Sequence, residues 1–85
     1  MTSPLRILLV DDHSVVREGV RRLLTGVRSV ELIEASNGPE ALSLFRKEKT
    51  DLILLDLNLP DMSGYEVLRT LRVAKVKTPI LILSG

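Results

Sequence analysis

Apolar residues along this chain switch repeatedly between two periods. Leu5-Arg6-Ile7-Leu8-Leu9-Val10 is a short aliphatic run closed at once by Asp11-Asp12, and near-continuous hydrophobicity of this kind predicts a strand covered on both faces. From Val16 the apolar residues recur at Val20, Leu23, Leu24 and Val27, with Arg17, Glu18, Arg21 and Arg22 between them. That is the 3.6-residue period of an amphipathic helix, and Gly26 is expected to stop it by taking the left-handed conformation. Val30 to Ala35 predicts a second strand. Asn37-Gly38-Pro39-Glu40 then opens a second helix: Asn37 can accept from the free amides of the first turn, Glu40 can reach back three residues, and Pro39 is harmless so early. Ala41, Leu42, Leu44 and Phe45 form its expected buried stripe.

Asp51-Leu52-Ile53-Leu54-Leu55-Asp56-Leu57 is the most hydrophobic strand candidate and is expected at the centre of a sheet. After a loop from Asn58 to Met62, Ser63-Gly64-Tyr65-Glu66 reads as a capping box for a third helix with Val67, Leu68 and Leu71 on its apolar side. A basic linker from Val73 to Lys77 follows, and Pro79 introduces a fourth strand, Ile80 to Leu83. The order βαβαβαβ implies right-handed crossovers and an α/β fold with a doubly wound parallel sheet, one domain over residues 1–85.

Composition narrows the chemistry. In 85 residues, Leu, Val and Ile supply 31, while aromatic content is 2% and Cys is absent. A chain of this length buries only roughly 60–65% of its unfolded surface, so its core must come from dense aliphatic packing or from a partner. Disulfide scaffolds, thiolate metal sites and Cys nucleophiles are excluded. The apolar run from Leu52 to Leu59 is interrupted by Asp56 and Asn58 and falls far short of the roughly 20 residues that cross a bilayer. With no secretion signal at its start, a soluble protein in a reducing cytoplasm is expected. A formal net charge of +1 with both signs interspersed argues against direct contact with nucleic acid.

In an open parallel sheet, ligands collect beyond the carboxyl ends of the strands. Asp11 and Asp12 follow the first strand, Asp56 and Asn58 close the third, and Ser84 closes the fourth. Three carboxylates converging on one rim repel one another unless a cation lies between them or one is protonated. Oxygen ligands without Cys or a second His favour Mg²⁺ over Zn²⁺. An ion there would draw a phosphoryl oxygen towards Asp56, whose carboxylate could attack phosphorus to give an acyl phosphate. Plainer readings stand beside this one: Asp11, Asp12 or His13 as a cap on the first helix, His13 as a solvated or capping side chain ahead of a metal ligand, Ser84 as an incidental hydroxyl, and the Arg17/Arg21/Arg22 and Arg69/Arg72/Lys75/Lys77 groups as solvated helix faces. Asp56 resists such a reading, because an acid inside Leu-Leu-Asp-Leu is costly if buried without a partner. No G-x-G-x-x-G, G-x-x-x-x-G-K-[ST] or G-x-S-x-G is present, which disfavours dinucleotide, P-loop and α/β-hydrolase chemistry. An aspartyl phosphatase of the haloacid dehalogenase type wants an acid two residues past its nucleophile, where this chain has Asn58.

The Asp11-Asp12 pair, Asp56, Pro60 four residues later, Gly64 eight residues later and Ser84 resemble, in identity and order, the receiver domains of bacterial two-component response regulators, which have the CheY-like, flavodoxin-like fold. The resemblance implies that Asp56 is the phosphoacceptor, that Asp11, Asp12, Asp56 and the Asn58 backbone carbonyl hold Mg²⁺, and that Ser84 is the switch hydroxyl. A histidine kinase or phosphotransfer protein would be the donor, and the module would be a switch rather than a metabolic enzyme. Residues 6–24, with Val-Asp-Asp-His-Ser-Val-Val-Arg-Glu-Gly, look like regulators with a LuxR-type output. Residues 51–85 look like OmpR-type cell-cycle regulators, with a seam near Thr50.

A complete receiver of this family continues through a fourth helix, a fifth strand bearing a Lys, and a fifth helix. The 85 residues match the portion before them. Family strand order 2-1-3-4-5 would leave the fourth strand at an edge, with only the first helix covering its side of the sheet and aliphatic side chains facing water. A homodimer, with or without exchanged elements, is therefore expected. The alternative function is an interaction module that works without phosphorylation, or a fragment with no activity of its own.

Overall fold

The computed structural model describes residues 4–27, 29–60 and 64–84, with Ser84 by its backbone alone. Seven elements follow in the expected order: β1 (Leu5–Val10), α1 (Ser14–Thr25), β2 (Val30–Ala35), α2 (Gly38–Lys47), β3 (Leu52–Asp56), α3 (Gly64–Val73) and β4 (Ile80–Ser84). The strands are parallel and ordered β2-β1-β3-β4, so β3 is interior, as its hydrophobicity demands, and β4 lies at an edge. This is the doubly wound, flavodoxin-like arrangement. The third strand is shorter than its apolar run: Asp51 lies outside it, accepting from the Arg6 amide on Oδ2 at 2.9 Å and donating its own amide to the Arg6 carbonyl at 2.7 Å.

Strand alternation sorts the aliphatic residues onto two unlike faces. Leu8 and Val10 of β1 with Ile53 and Leu55 of β3 are buried in one cluster with Ala35, Ala41, Leu57, Val67 and Leu71, so α2 and α3 close this face. Phe45, Leu42 and Leu44 pack against that cluster as the expected stripe of α2. On the other face Ile7 and Leu9 are buried. Glu34, which pairs with Leu9 across the ladder, points to the same side and receives Arg21 at 2.8 and 3.1 Å, which locates α1 there.

Helix α1 departs from the expected amphipathic packing. None of its residues is buried; Val16, Leu23 and Val27 are exposed, Leu23 at 78%. Its arginines are ion-paired rather than merely solvated: Arg17 and Arg21 reach Glu34, and Arg21 and Arg22 reach Glu18. On the same side of the sheet Leu81, paired with Leu54, is 56% exposed; Ile82, paired with Leu55 and so on the opposite face, and Leu83 are also exposed.

Helix ends hold two further corrections. Gly26 does cap α1, but in right-handed geometry (φ −86°, ψ −1°); the positive φ falls on Ser29 instead, whose carbonyl accepts the Leu5 amide at 2.7 Å. At α2 the Asn37 side chain accepts from the Glu40 amide at 2.8 Å as expected, while the Glu40 carboxylate reaches back four residues, not three, to the Ser36 amide at 2.7 Å. The stretch after α3 is a closed helix stop rather than a loose linker. Val76 donates to the Leu71 carbonyl and Lys75 to the Arg72 carbonyl, each at 3.0 Å, with Lys75 at φ 61°. That pair of bonds satisfies the last carbonyls of the helix. The proposed capping role of Ser63 lies outside the described residues.

Candidate functional site

Each predicted acid leaves the sheet at the same rim. Asp11 extends β1 by one ladder bond, its amide donating to the Ala35 carbonyl at 3.0 Å, and its side chain is turned inward, with the residue 2% exposed. Asp56 is the last residue of β3 and is 1% exposed. Both carboxylates are held by the amide two residues on. Asp11 Oδ1 accepts from His13 N at 2.7 Å, and Asp56 Oδ1 accepts from Asn58 N at 2.9 Å. The repeated Asp-x-amide turn follows from the chain bending away just past the strand end, where the ladder no longer supplies a donor.

The plainer reading of these acids as helix caps fails. The N-cap of α1 is His13, and no side chain makes a capping bond there. Instead, atoms of Asp11, Asp12, His13 and Asp56 lie within 4.8 Å of one another. The His13 imidazole sits among the carboxylates, its Nδ1 donating to Asp11 Oδ1 at 2.9 Å and lying 3.2 Å from Asp12 Oδ1 and 3.6 Å from Asp56 Oδ2. The hydrogen bond to Asp11, then the charges of Asp12 and Asp11, raise the His13 pKa above its ordinary value against a small opposing cost of burial, with Asp56 adding the least. A protonated ring offsets part of the negative charge at the rim. Arg17 adds a second cationic group, Nη1 donating to the Asp11 carbonyl at 2.8 Å.

Two backbone features shape the Asp56 end. The β3–β4 register shifts between Leu55 and Asp56, so that Leu55 faces Ile82 but Asp56 faces Ser84. Irregularities of this kind gather beside functional sites because they re-aim a residue. The Ser84 backbone therefore stands opposite Asp56; its side chain lies outside the described residues. Gly64 donates to the Leu57 carbonyl at 2.9 Å, and a Cβ on it would come within 2.4 Å of the Asp56 carbonyl oxygen. The sequence motif marked Gly64, and this contact supplies its physical reason. The sequence favours a solvated or capping role for His13 over a metal ligand, its only signal being adjacency to the acid pair; the structure sets the ring among the carboxylates instead.

The donor set fits a hard divalent cation. Two buried carboxylates and a third at the surface converge on one point, and mutual repulsion makes that arrangement costly without positive charge among them.

Residues 7–85 match the family described as response regulator receiver domain. The chain belongs to this family. It is 52% identical over 81 residues to the cell cycle response regulator CtrA of Brucella ovis, an alignment covering 95% of this chain and 34% of that protein. The chain thus spans about a third of the length of the curated relatives it matches. Among solved structures, it superposes on chemotaxis protein CheY4 of Vibrio cholerae with a TM-score of 0.85 and 33% identity, covering 94% of this chain and 68% of that one. A response regulator receiver protein from Pseudomonas putida gives a TM-score of 0.88 at 28% identity, covering 100% and 71%. The CheY-like fold and the receiver role in two-component signalling follow. No helix among the described residues is long and apolar enough to cross a membrane.

Proposed function

We propose that the receiver works as a phosphoacceptor switch in which Asp56 takes the phosphoryl group, Asp11, Asp12, Asp56 and the backbone carbonyl of Asn58 hold Mg²⁺, and Ser84 is the responding hydroxyl. The observation that carries this reading is the convergence of the Asp11, Asp12 and Asp56 carboxylates within 4.8 Å at the carboxyl rim of the sheet. A carboxylate oxygen of Asp56 attacks phosphorus in a phosphohistidine or a small acyl phosphate. The P–N or P–O bond to the donor breaks, the leaving group keeps the electron pair, and an acyl phosphate remains on Asp56. Bound Mg²⁺ supplies charge neutralisation for the carboxylates and the incoming phosphoryl oxygens. The Asn58 amide, bonded to Asp56 Oδ1, holds the carboxylate in place during attack. The donor is a histidine kinase or phosphotransfer protein in the cytoplasm, and the chain acts as a switch that at most catalyses its own modification, with no direct contact to nucleic acid or membrane.

Incorporation of phosphate from a small acyl phosphate, or beryllofluoride binding, tests this. The wild type gives a Mg²⁺-dependent signal and Asp56→Asn gives none; equal signals, or none in either, overturn the assignment.

A second reading is supported by the exposed Leu81, Ile82 and Leu83 on the edge strand β4. An aliphatic patch beside an unpaired strand edge is a template for another chain, and we infer that a second copy covers it, with or without exchange of elements. Association of this kind would operate even without phosphorylation. We also assign residues 6–24 to the LuxR-output type and residues 51–85 to the OmpR cell-cycle type. Separate alignment of the two segments tests that, and a single best relative for both would overturn it.

A further inference from the structure

We infer that His13 is itself a ligand to the cation at the acidic rim, so that the site takes a borderline transition-metal ion such as Co²⁺ or Zn²⁺ more tightly than Mg²⁺. This rests on the metal-site reading above and adds a nitrogen to its oxygen ligands.

The argument begins with what the ring does not do. His13 occupies the N-cap of α1 in extended backbone geometry (φ −89°, ψ 112°) without making a capping bond. Its backbone amide is tied to Asp11 Oδ1, which fixes where the side chain starts. The ring then lies over the rim, with Nδ1 at 2.9, 3.2 and 3.6 Å from oxygens of three different carboxylates.

One Nδ1–H can be directed at only one of these oxygens, and it is directed at Asp11. Proximity to the other two reports a place where ligands gather. Ligands at adjacent vertices of an octahedral ion with bonds of about 2.1 Å stand about 3.0 Å apart. Around a tetrahedral ion with bonds of about 2.0 Å the spacing is about 3.3 Å. The three nitrogen–oxygen separations bracket those values, so an ion can enter between existing ligands with little movement of the ring. It binds as neutral imidazole, the Nδ1 proton passing to solvent.

Ligand chemistry sets the preference. Imidazole nitrogen suits Co²⁺, Ni²⁺, Cu²⁺ and Zn²⁺, whereas Mg²⁺ holds to oxygen and keeps its waters. Loss of the ring therefore acts on the nitrogen-seeking ions and leaves the oxygen ligands of Mg²⁺ in place.

Calorimetric titration of the 85-residue chain with MgCl₂, CoCl₂ and ZnCl₂ tests this, with His13→Ala and His13→Gln beside the wild type. The ring is largely exposed and makes no cap, and circular dichroism is the check that each variant is folded. Both variants are expected to lose Co²⁺ and Zn²⁺ affinity by about tenfold or more, to keep Mg²⁺ affinity, and to lose the paramagnetically shifted imidazole resonances that Co²⁺ induces in the wild type. Equal Co²⁺ affinity in all three proteins, with no shifted imidazole signal, overturns the role of His13 and leaves the oxygen site standing. Absence of binding by any of the three ions, in wild type and Asp11→Asn alike, overturns the metal site and this inference with it.

Discussion

The backbone of Gly64 rests directly on that of Asp56: a Cβ at position 64 would lie 2.4 Å from the Asp56 carbonyl oxygen and equally close to Leu57 Cα. Neither contact is the tip of a flexible side chain, so the start of α3 would have to withdraw from the end of β3. Gly64→Ala is therefore expected to cost about 3 kcal/mol, the upper part of the usual overpacking range, and to reduce phosphate incorporation by displacing Asp56. Urea denaturation read by circular dichroism measures the first effect. A variant as stable as the wild type would mean that the two backbones separate easily.

His13 is the only histidine in the chain, so its ring titration is directly visible by NMR. In the metal-free protein the midpoint is expected above 6.5, because Asp11 and Asp12 favour the charged ring. Asp12→Asn should lower it. The sign for stability follows: a histidine whose pKa rises on folding stabilises fully below its unfolded value and loses that contribution as pH climbs through its folded value. Thermal midpoints of the metal-free chain should accordingly fall from about pH 6.5 upward, less steeply in Asp12→Asn. A His13 midpoint below 6.5 would contradict the rim geometry.

Leu9 and Leu81 lie on the same side of the sheet in opposite circumstances, one fully buried and the other 56% exposed. Leu9→Ala is expected to cost about 3 kcal/mol. Leu81→Glu should cost under about 0.5 kcal/mol in a monomer but dissociate a dimer that buries this face. Sedimentation equilibrium of wild type and Leu81→Glu distinguishes these cases. A monomeric wild type at high protein concentration would rule out the second copy.

Most of the framework could be read directly from the residues. The strands, the helices, the Asn37 cap and the rim of acids all arise from short-range periodicity or from the end of an apolar run. What escaped depended on long-range packing. The positive φ at Ser29 rather than Gly26 is set by how the chain enters β2. The reach of Glu40 to Ser36 depends on the bend before α2. The exposure of Leu23 cannot be seen in a helical period that is itself unbroken. His13 illustrates the same limit at the site: its neighbours in sequence were plain, while its approach to Asp56, 43 positions away, emerges only when β1 and β3 lie side by side.

Because α1 is fastened through Arg17 and Arg21 to Glu34 with no buried side chain of its own, the two sides of the sheet are bound by different forces. One is glued by aliphatic contact that added electrolyte scarcely touches. The other buries Ile7 and Leu9 but adds a latch of opposite charges, which dissolved ions weaken. Since His13 and the carbonyl of Asp11 sit at the hinge of that latch, ionic strength becomes a dial on the rim itself.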